Sequence, residues 1–227
     1  VGGIITKAHC PSTGKIGSVR LAGLPVLLSH HDIGHGRKME WTVEAISYND
    51  PTDEHKEWIG VNQGASNRYV RYFLEQNRMP DLINVEYDYD VEREKQLGDS
   101  RIDLKVGDTY IEVKTPVQVI EKRVPDHVQV IKHSHKFSGG DRLVKHITQL
   151  GSALESHERC VMLTCYQYVP DDGEDLDRYD YGELYEDVDR IVAAFDRARA
   201  AGVEQWSCEM RLTPAGVRLV NYRREDV

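Results

Sequence analysis

GDSRIDLKVGDTYIEVK, residues 98–114, is the most informative segment of the sequence, because its alternation and its central turn together define a hairpin. Apolar and charged residues alternate along both arms, the pattern of two strands that bury one face. Gly107-Asp108 suits a two-residue turn, since glycine readily adopts the positive φ of the first turn position. In that register residue 103 faces residue 112. The predicted inner face holds Ile102, Leu104, Ile111 and Val113, and the outer face holds Arg101, Asp103, Glu112 and Lys114.

The two acids of this hairpin are its chemically informative residues. Asp103 and Glu112 would project side by side with Cβ atoms about 5 Å apart, which is destabilising for two bare like charges. A hard cation such as Mg²⁺ or Mn²⁺ would relieve the repulsion, because it binds through one or two carboxylates and a substrate phosphate. Lys114 lies on the same face and can approach a phosphate or an attacking water. The pattern therefore predicts metal-assisted phosphodiester hydrolysis.

A purely structural interpretation fits the same residues. An amphipathic hairpin on a solvated sheet face also alternates apolar with charged side chains. Arg101 or Lys114 would then neutralise the acids without any metal. For the hairpin in isolation, this structural interpretation is the one favoured.

The chain before the hairpin divides into two patterns. Residues 1 to about 62 carry short apolar runs separated by glycines, which predicts strands near 25–29, 41–47 and 58–61 in a small all-β unit. Asn67 is placed to cap a helix that ends before Pro80. The apolar stripe of that helix is Tyr69, Val70, Phe73 and Leu74.

From about residue 85 the pattern is strand, strand, strand, helix, strand, helix, which predicts an α/β sheet with helices packed on it. Residues 160–168 form the buried strand between the two helices, and Asp141 is placed to cap the first of them. The second helix ends at Gly202. The apolar stripes are Leu143, Ile147, Leu150 and Leu154 in the first helix, and Val188, Ile191, Val192 and Phe195 in the second.

Charge is distributed unevenly along the chain. The net charge is −9, but ten acidic and two basic residues lie between Asp171 and Arg190. Residues 121–146 carry six Lys/Arg, three Asp/Glu and four histidines, so a positive surface for phosphates is available there. A solvated face without a partner is the more common reason for such a charge run taken alone. Four cysteines without a Cys-x-x-Cys spacing predict reduced thiols in a cytoplasmic protein, and no apolar run is long enough to span a membrane.

Several motifs resemble known families. An Asp on one strand followed by Glu-x-Lys on the next resembles the PD-(D/E)XK nuclease superfamily, with Ile102 in place of the Pro. A longer ordered series is similar to the sugar fermentation stimulation protein (SfsA) family and covers most of the chain. That series is HCPSTG (9–14), RK before EWTVE (37–44), GVN followed by Asn67-Arg68, GDSRID (98–103), EVK (112–114) and Arg142 with Lys145-His146.

The resemblance implies an α/β (α+β) fold with an OB-like β-barrel over residues 1–64 and a PD-(D/E)XK domain over 65–227. It implies that Asp103 and Glu112 bind Mg²⁺ or Mn²⁺ and that Lys114 is catalytic. Supporting residues would be Glu94 and Arg101, with Glu75 as the acid from the first helix, where Arg71-Tyr72 replaces acids that the family often has. Residues expected to contact nucleic acid are Arg37 and Lys38 in the barrel and Arg142, Lys145, His146 and Gln149 in the later helix. The last four share one stripe, from which they are expected to face the metal site and bind a phosphate; on periodicity alone a solvated polar face fits that stripe equally well.

Two functional hypotheses follow. The first is a metal-dependent nuclease acting on DNA, and on RNA as a second substrate. The alternative is a non-catalytic DNA-binding protein with a regulatory role in sugar metabolism, whose acids are a structural remnant. Strand preference, base specificity and oligomeric state, including a homodimer, stay open from the sequence.

Overall fold

The computed structural model describes residues 3–12, 15–32, 38–84, 90–131, 140–154, 159–171 and 185–225, without the side chains of 140–142 and 185–189. In that part of the chain two sheets and three helices are present. The strands are β1 (Ala8–His9), β2 (Val26–His30), β3 (Trp41–Ile46), β4 (Ile59–Gly60), β5 (Val91–Leu97), β6 (Ser100–Val106), β7 (Thr109–Lys114), β8 (Arg159–Tyr166), β9 (Glu204–Thr213) and β10 (Gly216–Arg224). The helices are α1 (Gln63–Glu75), α2 (Gly140–Ala153) and α3 (Tyr185–Ala200).

The larger sheet has six strands in the order β10-β9-β8-β7-β6-β5. The strands β5, β6 and β7 form an antiparallel meander, whereas β7, β8 and β9 are parallel. The helices α2 and α3 lie in the two crossover connections between the parallel strands. The predicted order of strands and helices is confirmed as far as α3, and the closing β9–β10 hairpin is an addition to it.

The predicted hairpin register is confirmed, because Val106 pairs with Thr109 and Leu104 pairs with Ile111. The prediction of a single apolar face is wrong for Ile102, which packs in the cluster beneath α2 and α3, whereas Leu104 packs in the cluster beneath α1. The backbone explains the change of face. Glu94, at the β5 position opposite residue 103, has a left-handed φ of 50°, and the alternation of both strands reverses there.

The N-terminal strands form a four-stranded sheet in which β3 pairs with β1, β2 and β4, compatible with an OB-like unit. Its core extends beyond residues 1–64, since residues 117–131 supply apolar side chains to it and Val19 forms a β-bridge with Val130. The core residues are Ile16, Val19, Ile46, Tyr48, Ile59 and Val61 from the N-terminal part, Ile120, Val124 and Val128 from the later segment, and Tyr168, which follows β8.

The helices follow the predicted apolar stripes, and two details differ from the prediction. Asn67 does not cap α1, because the helix already begins at Gln63. On α3, Val192 is exposed, and Ala194 and Ala198 are buried instead. The side chains of Asp141 and Val188 lie outside the described residues. Across the described ranges, every helix is too short or too polar to cross a lipid bilayer.

Candidate active site

The strands β6 and β7 carry the two acids to the place where their pairing ends. Their last paired residues are Leu104 and Ile111. Beyond that pair the Asp103 carboxylate lies between the strands, where Oδ2 accepts a hydrogen bond from the Val113 backbone N–H at 2.9 Å. Oδ1 accepts a second hydrogen bond from Asn67 Nδ2 at 2.7 Å. Asp103 is therefore fixed both by β7 and by α1.

Glu112 is buried at the centre of the cluster, with 1% of its surface exposed. Its Oε1 contacts both Lys114 Nζ and His146 Nδ1. Its Oε2 is buried and has no hydrogen-bond partner among the described residues. A buried carboxylate oxygen without a partner is costly, so this atom is where an additional positive group would be stabilised.

The electrostatics of Asp103 reflect this crowding. Burial, and after it the negative charge of Glu112, raises the pKa of the Asp103 carboxyl above its usual value. The Val113 N–H, Lys114 and Asn67 act in the opposite direction. Asp103 is thus held in a site that disfavours its ionised form, and a bound cation would stabilise that form.

The helix α1 holds the C-terminal end of β7 through two further contacts. Gln63 Nε2 donates to the Thr115 carbonyl oxygen at 3.1 Å, and Ser66 Oγ lies 2.5 Å from Thr115 Oγ1. Because Thr115 follows Lys114 directly, α1 fixes the chain on which the lysine sits.

Three predicted supporting residues lie away from this cluster. Glu94 and Arg101 form an exposed ion pair, with 3.1 Å between Arg101 Nη1 and Glu94 Oε2. Glu75 pairs with Arg71 one turn earlier on α1, at 2.6 Å. The α1 residue that reaches the acids is therefore Asn67, where the family resemblance suggested Glu75.

The predicted nucleic-acid contacts on α2 occupy different positions. His146 is buried against Glu112, so it belongs to the acidic cluster and not to an outer binding surface. Lys145 Nζ donates to the Asp99 carbonyl oxygen at 3.3 Å. The amide end of Gln149 packs against Gly98, so a Cβ at position 98 would collide with it. The side chain of Arg142 lies outside the described residues.

The structure describes one of the two nucleic-acid contacts that were predicted in the N-terminal unit. Lys38 is exposed and lines a cleft beside α1. Arg37 lies outside the described residues.

A complete metal cage is not present in the part of the chain that the structure describes, since no group of three or more His, Cys, Asp or Glu side chains there is arranged to hold a metal ion. Two carboxylates are enough for Mg²⁺ or Mn²⁺, which retain several waters. The unpartnered Oε2 of Glu112 beside the Asp103 carboxylate fits such an ion.

Comparison with known proteins is consistent with this architecture. A model of the SfsA N-terminal OB domain matches residues 1–61. The sugar fermentation stimulation protein homolog of Trichodesmium erythraeum is 33% identical, over 94% of this chain and 78% of its own length. The chain belongs to the SfsA family. The Synechococcus elongatus homolog is likewise 33% identical, over 92% of this chain and 80% of its own.

Among solved structures, Pyrococcus furiosus SfsA in complex with Ca²⁺ superimposes with a TM-score of 0.59 at 14% identity, covering 86% of this chain and 74% of that one. The SfsA fold is therefore shared despite the divergence of sequence. The OB-domain match ends at residue 61, two residues before α1 begins. In this SfsA family member α1 thus lies between the OB domain and the acidic cluster.

One site residue has a contact that differs from the role predicted from the sequence. The pattern predicts a helix cap at Asn67, yet this residue donates to Asp103. His146 touches Glu112, in keeping with the predicted orientation of its stripe toward the two acids, and its contact with a phosphate stays a prediction. One feature of the sequence could have indicated that Asn67 contacts the acids. Asn67 follows GVN at a spacing that places it on the same helical face as Gln63 and Ser66.

Proposed function

We propose that this SfsA family member is a divalent-metal-dependent nuclease that hydrolyses phosphodiester bonds of DNA, with RNA as a second substrate. The observation that carries the proposal is the convergence of Asp103, Glu112 and Lys114, with one buried carboxylate oxygen left without a partner among the described residues. A buried acid with a raised pKa, such as Asp103, is characteristic of catalytic sites.

Asp103 and Glu112 are the residues that would hold the ion. When bound, Mg²⁺ or Mn²⁺ supplies a Lewis acid for phosphoryl chemistry. Pyrococcus furiosus SfsA forms a complex with Ca²⁺, which is also a hard cation that takes oxygen ligands. That complex supports a cation site in the fold without assigning its position here.

The protein side chains have separable tasks. Lys114 is 30% exposed, so its ammonium group can move from Glu112 to an incoming phosphate and stabilise the charge that develops on it. Asn67 and the Val113 N–H hold Asp103 in one orientation. His146 contacts Glu112 from α2 and limits its movement.

The test is cleavage of single- and double-stranded DNA and RNA by the purified protein with Mg²⁺, Mn²⁺ or EDTA. We expect cleavage with a metal ion, none with EDTA, and none by Asp103→Asn. Arg218→Ala, an exposed change on the edge strand β10, is the matched control and should cut normally. Equal cleavage by wild type and Asp103→Asn would refute the proposal.

One observation favours the alternative, a DNA-binding protein without catalysis. Lys114 and His146 already contact Glu112 Oε1, so the cluster is partly compensated without a metal. In that case DNA should bind in EDTA, weaken steeply with salt, and remain intact with every metal tested.

A further inference from the structure

A cleft of ≈ 640 Å³ lies beside α1, between that helix and the N-terminal sheet. Its size is within the range of sites that enclose small organic ligands. The polar side chains of the lining that matter here are His9, His31, Lys38, Glu44, Asn62 and Arg68. None of them belongs to the acidic cluster.

The most buried ionisable group of the cleft is Glu44, with 9% of its surface exposed. Ser29 Oγ donates to its Oε1 at 2.6 Å, and Asn62 Nδ2 donates to its Oε2 at 2.8 Å. Because the Ser29 proton is committed to Glu44, His31 Nε2, 2.9 Å from Ser29 Oγ, must be the donor in that contact. The carboxylate is thus held rigidly, and each oxygen retains acceptor capacity for a ligand N–H.

The rim of the cleft carries the opposite charge. Lys38, His9 and Arg68 are all exposed. The cleft also reaches Gly64 in the first turn of α1, which contains no acidic residue, so the partial positive charge of the helix terminus adds to the cations. The rim therefore favours a ligand anion, and Glu44, the buried carboxylate of the cleft, favours a ligand N–H donor.

A nucleotide whose base carries an amino group has both features, a phosphate and an exocyclic N–H. The position of the cleft connects it with the acidic cluster. Asn67 binds Asp103, and the next residue, Arg68, lines the cleft, so one continuous strand can reach both. We propose that the cleft binds one unpaired nucleotide of the strand being cut, with its phosphate on Lys38 and Arg68 and its amino group on Glu44.

This inference rests on the proposed function and names its substrate class, an unpaired strand. A paired base hides its Watson–Crick edge from the carboxylate. Thymine is disfavoured because two carbonyl oxygens flank its N–H and repel an acid.

The test is fluorescence anisotropy of labelled oligo(dC), oligo(rC), oligo(dT) and a duplex, in EDTA so that binding is measured without cleavage. We expect the C-containing single strands to bind more tightly than oligo(dT) or the duplex. Arg68→Ala should weaken oligo(dC) binding about tenfold and reduce its salt slope by about 0.7, whereas the control Arg218→Ala stays within about twofold of wild type. Glu44→Gln should remove the preference for C over T.

Wild type that binds all four probes equally, or an Arg68→Ala variant that behaves as Arg218→Ala, overturns the inference. Tighter binding of free dCMP than of oligo(dC) also overturns it and assigns the cleft to free nucleotides. Should Glu44→Gln unfold, the exposed change Lys38→Ala tests the proposed contact between the cleft and the phosphate. Cleft-dependent binding without cleavage removes only the proposed function, and cleavage without cleft dependence removes only this inference.

Discussion

Two carboxylate clusters lie at opposite ends of the parallel strands and differ in how their charges are compensated. At the N-terminal ends, Glu204 of β9 receives Arg159 Nε at 2.7 Å and Arg159 Nη2 at 2.6 Å. Trp206 Nε1 donates to the same carboxylate at 2.8 Å. At the C-terminal end of β7, Glu112 retains a buried oxygen without a described partner beside a second acid, Asp103.

The pKa directions express this difference. Hydrogen bonds from Arg159 lower the pKa of Glu204, whereas burial raises the pKa of Asp103. A satisfied ion pair stabilises the folded chain, and an unsatisfied acidic pair is maintained at a cost to stability. The contrast is consistent with the proposed function, in which the first cluster serves the fold and the second serves chemistry.

The largest expected effect separates the clusters by activity. Glu112→Gln should reduce cleavage at least ~10³-fold, equivalent to roughly 4 kcal/mol of barrier, because the change removes a charge on which the proposed metal site depends. Glu204→Gln, the matched loss of one carboxylate, should stay within about threefold of wild type at a temperature where it remains folded. Single-turnover cleavage rates measure both variants. Comparable losses of activity in the two would contradict the assignment of chemistry to the Glu112 cluster alone.

The next effect is stabilisation by metal. At a concentration of Mn²⁺ about 100 times its Kd, a folded-state site adds about 2.7 kcal/mol to the free energy of unfolding. A shift of roughly 5–10 °C in Tm should follow for a domain of this size. Wild type and Glu204→Gln should both show the shift in differential scanning calorimetry, and Asp103→Asn should not. A shift retained by Asp103→Asn would place the ion elsewhere.

The stability ranking should be the reverse of the activity ranking. Glu204→Gln leaves Arg159 and Trp206 imperfectly paired at a partly exposed site, so we expect a loss of about 1–2 kcal/mol in the free energy of unfolding at pH 7. Asp103→Asn removes a buried like charge together with one hydrogen bond and should lose less. Urea unfolding in EDTA checks this order, which fails if Asp103→Asn is the less stable variant.

The fold is largely readable from the sequence, since the alternation at 98–114 and the stripe on α2 reflect local burial. The alternation of Trp206, Cys208, Met210 and Leu212 in β9 is equally readable, although the predicted order of elements does not include that strand. Local pattern could not reveal that residues 117–131 complete the N-terminal core, because that packing joins segments far apart in sequence.

For the site, spacing and family resemblance together identify Asp103, Glu112 and Lys114 as a group, and the structure brings these three together. The stripe on α2 predicts that His146 faces the acids, but the particular contacts that the helices make could not be found in that way. Asn67 reaches Asp103 across 36 residues, and His146 reaches Glu112 across 34. Such contacts depend on how helices are placed on the sheet, which periodicity does not specify.

A smaller effect concerns pH. The lowered pKa of Glu204 means that its contribution to stability is present above its usual pKa of 4.5 and is lost as pH falls through the folded-state pKa. The stability gap between wild type and Glu204→Gln should therefore be constant from pH 7 to about 5 and close at lower pH.

Asp103 has the opposite sign. Its raised pKa gives a contribution that is complete below the usual pKa of 3.8 and is lost as pH rises through the folded-state pKa. In EDTA, wild type should therefore gain stability relative to Asp103→Asn as pH falls from 7. Parallel pH trends for Glu204→Gln and Asp103→Asn in urea titrations would contradict the assignment of opposite roles.

The smallest effect tests the backbone that separates the two faces at Asp103. Glu94 has φ 50°, which costs a residue with a Cβ more than it costs glycine, and its ion pair with Arg101 is exposed and contributes little. Glu94→Gly should therefore change the free energy of unfolding by less than about 1 kcal/mol, in the stabilising direction, and leave cleavage unchanged. Glu94→Val is the informative partner, because a β-branched side chain tolerates this φ poorly. If Glu94→Val is destabilised and also cuts more slowly, the reversal of alternation in β5 and β6 helps to position Asp103. If it only loses stability, the hydrogen bonds from Asn67 and Val113 are sufficient to position Asp103.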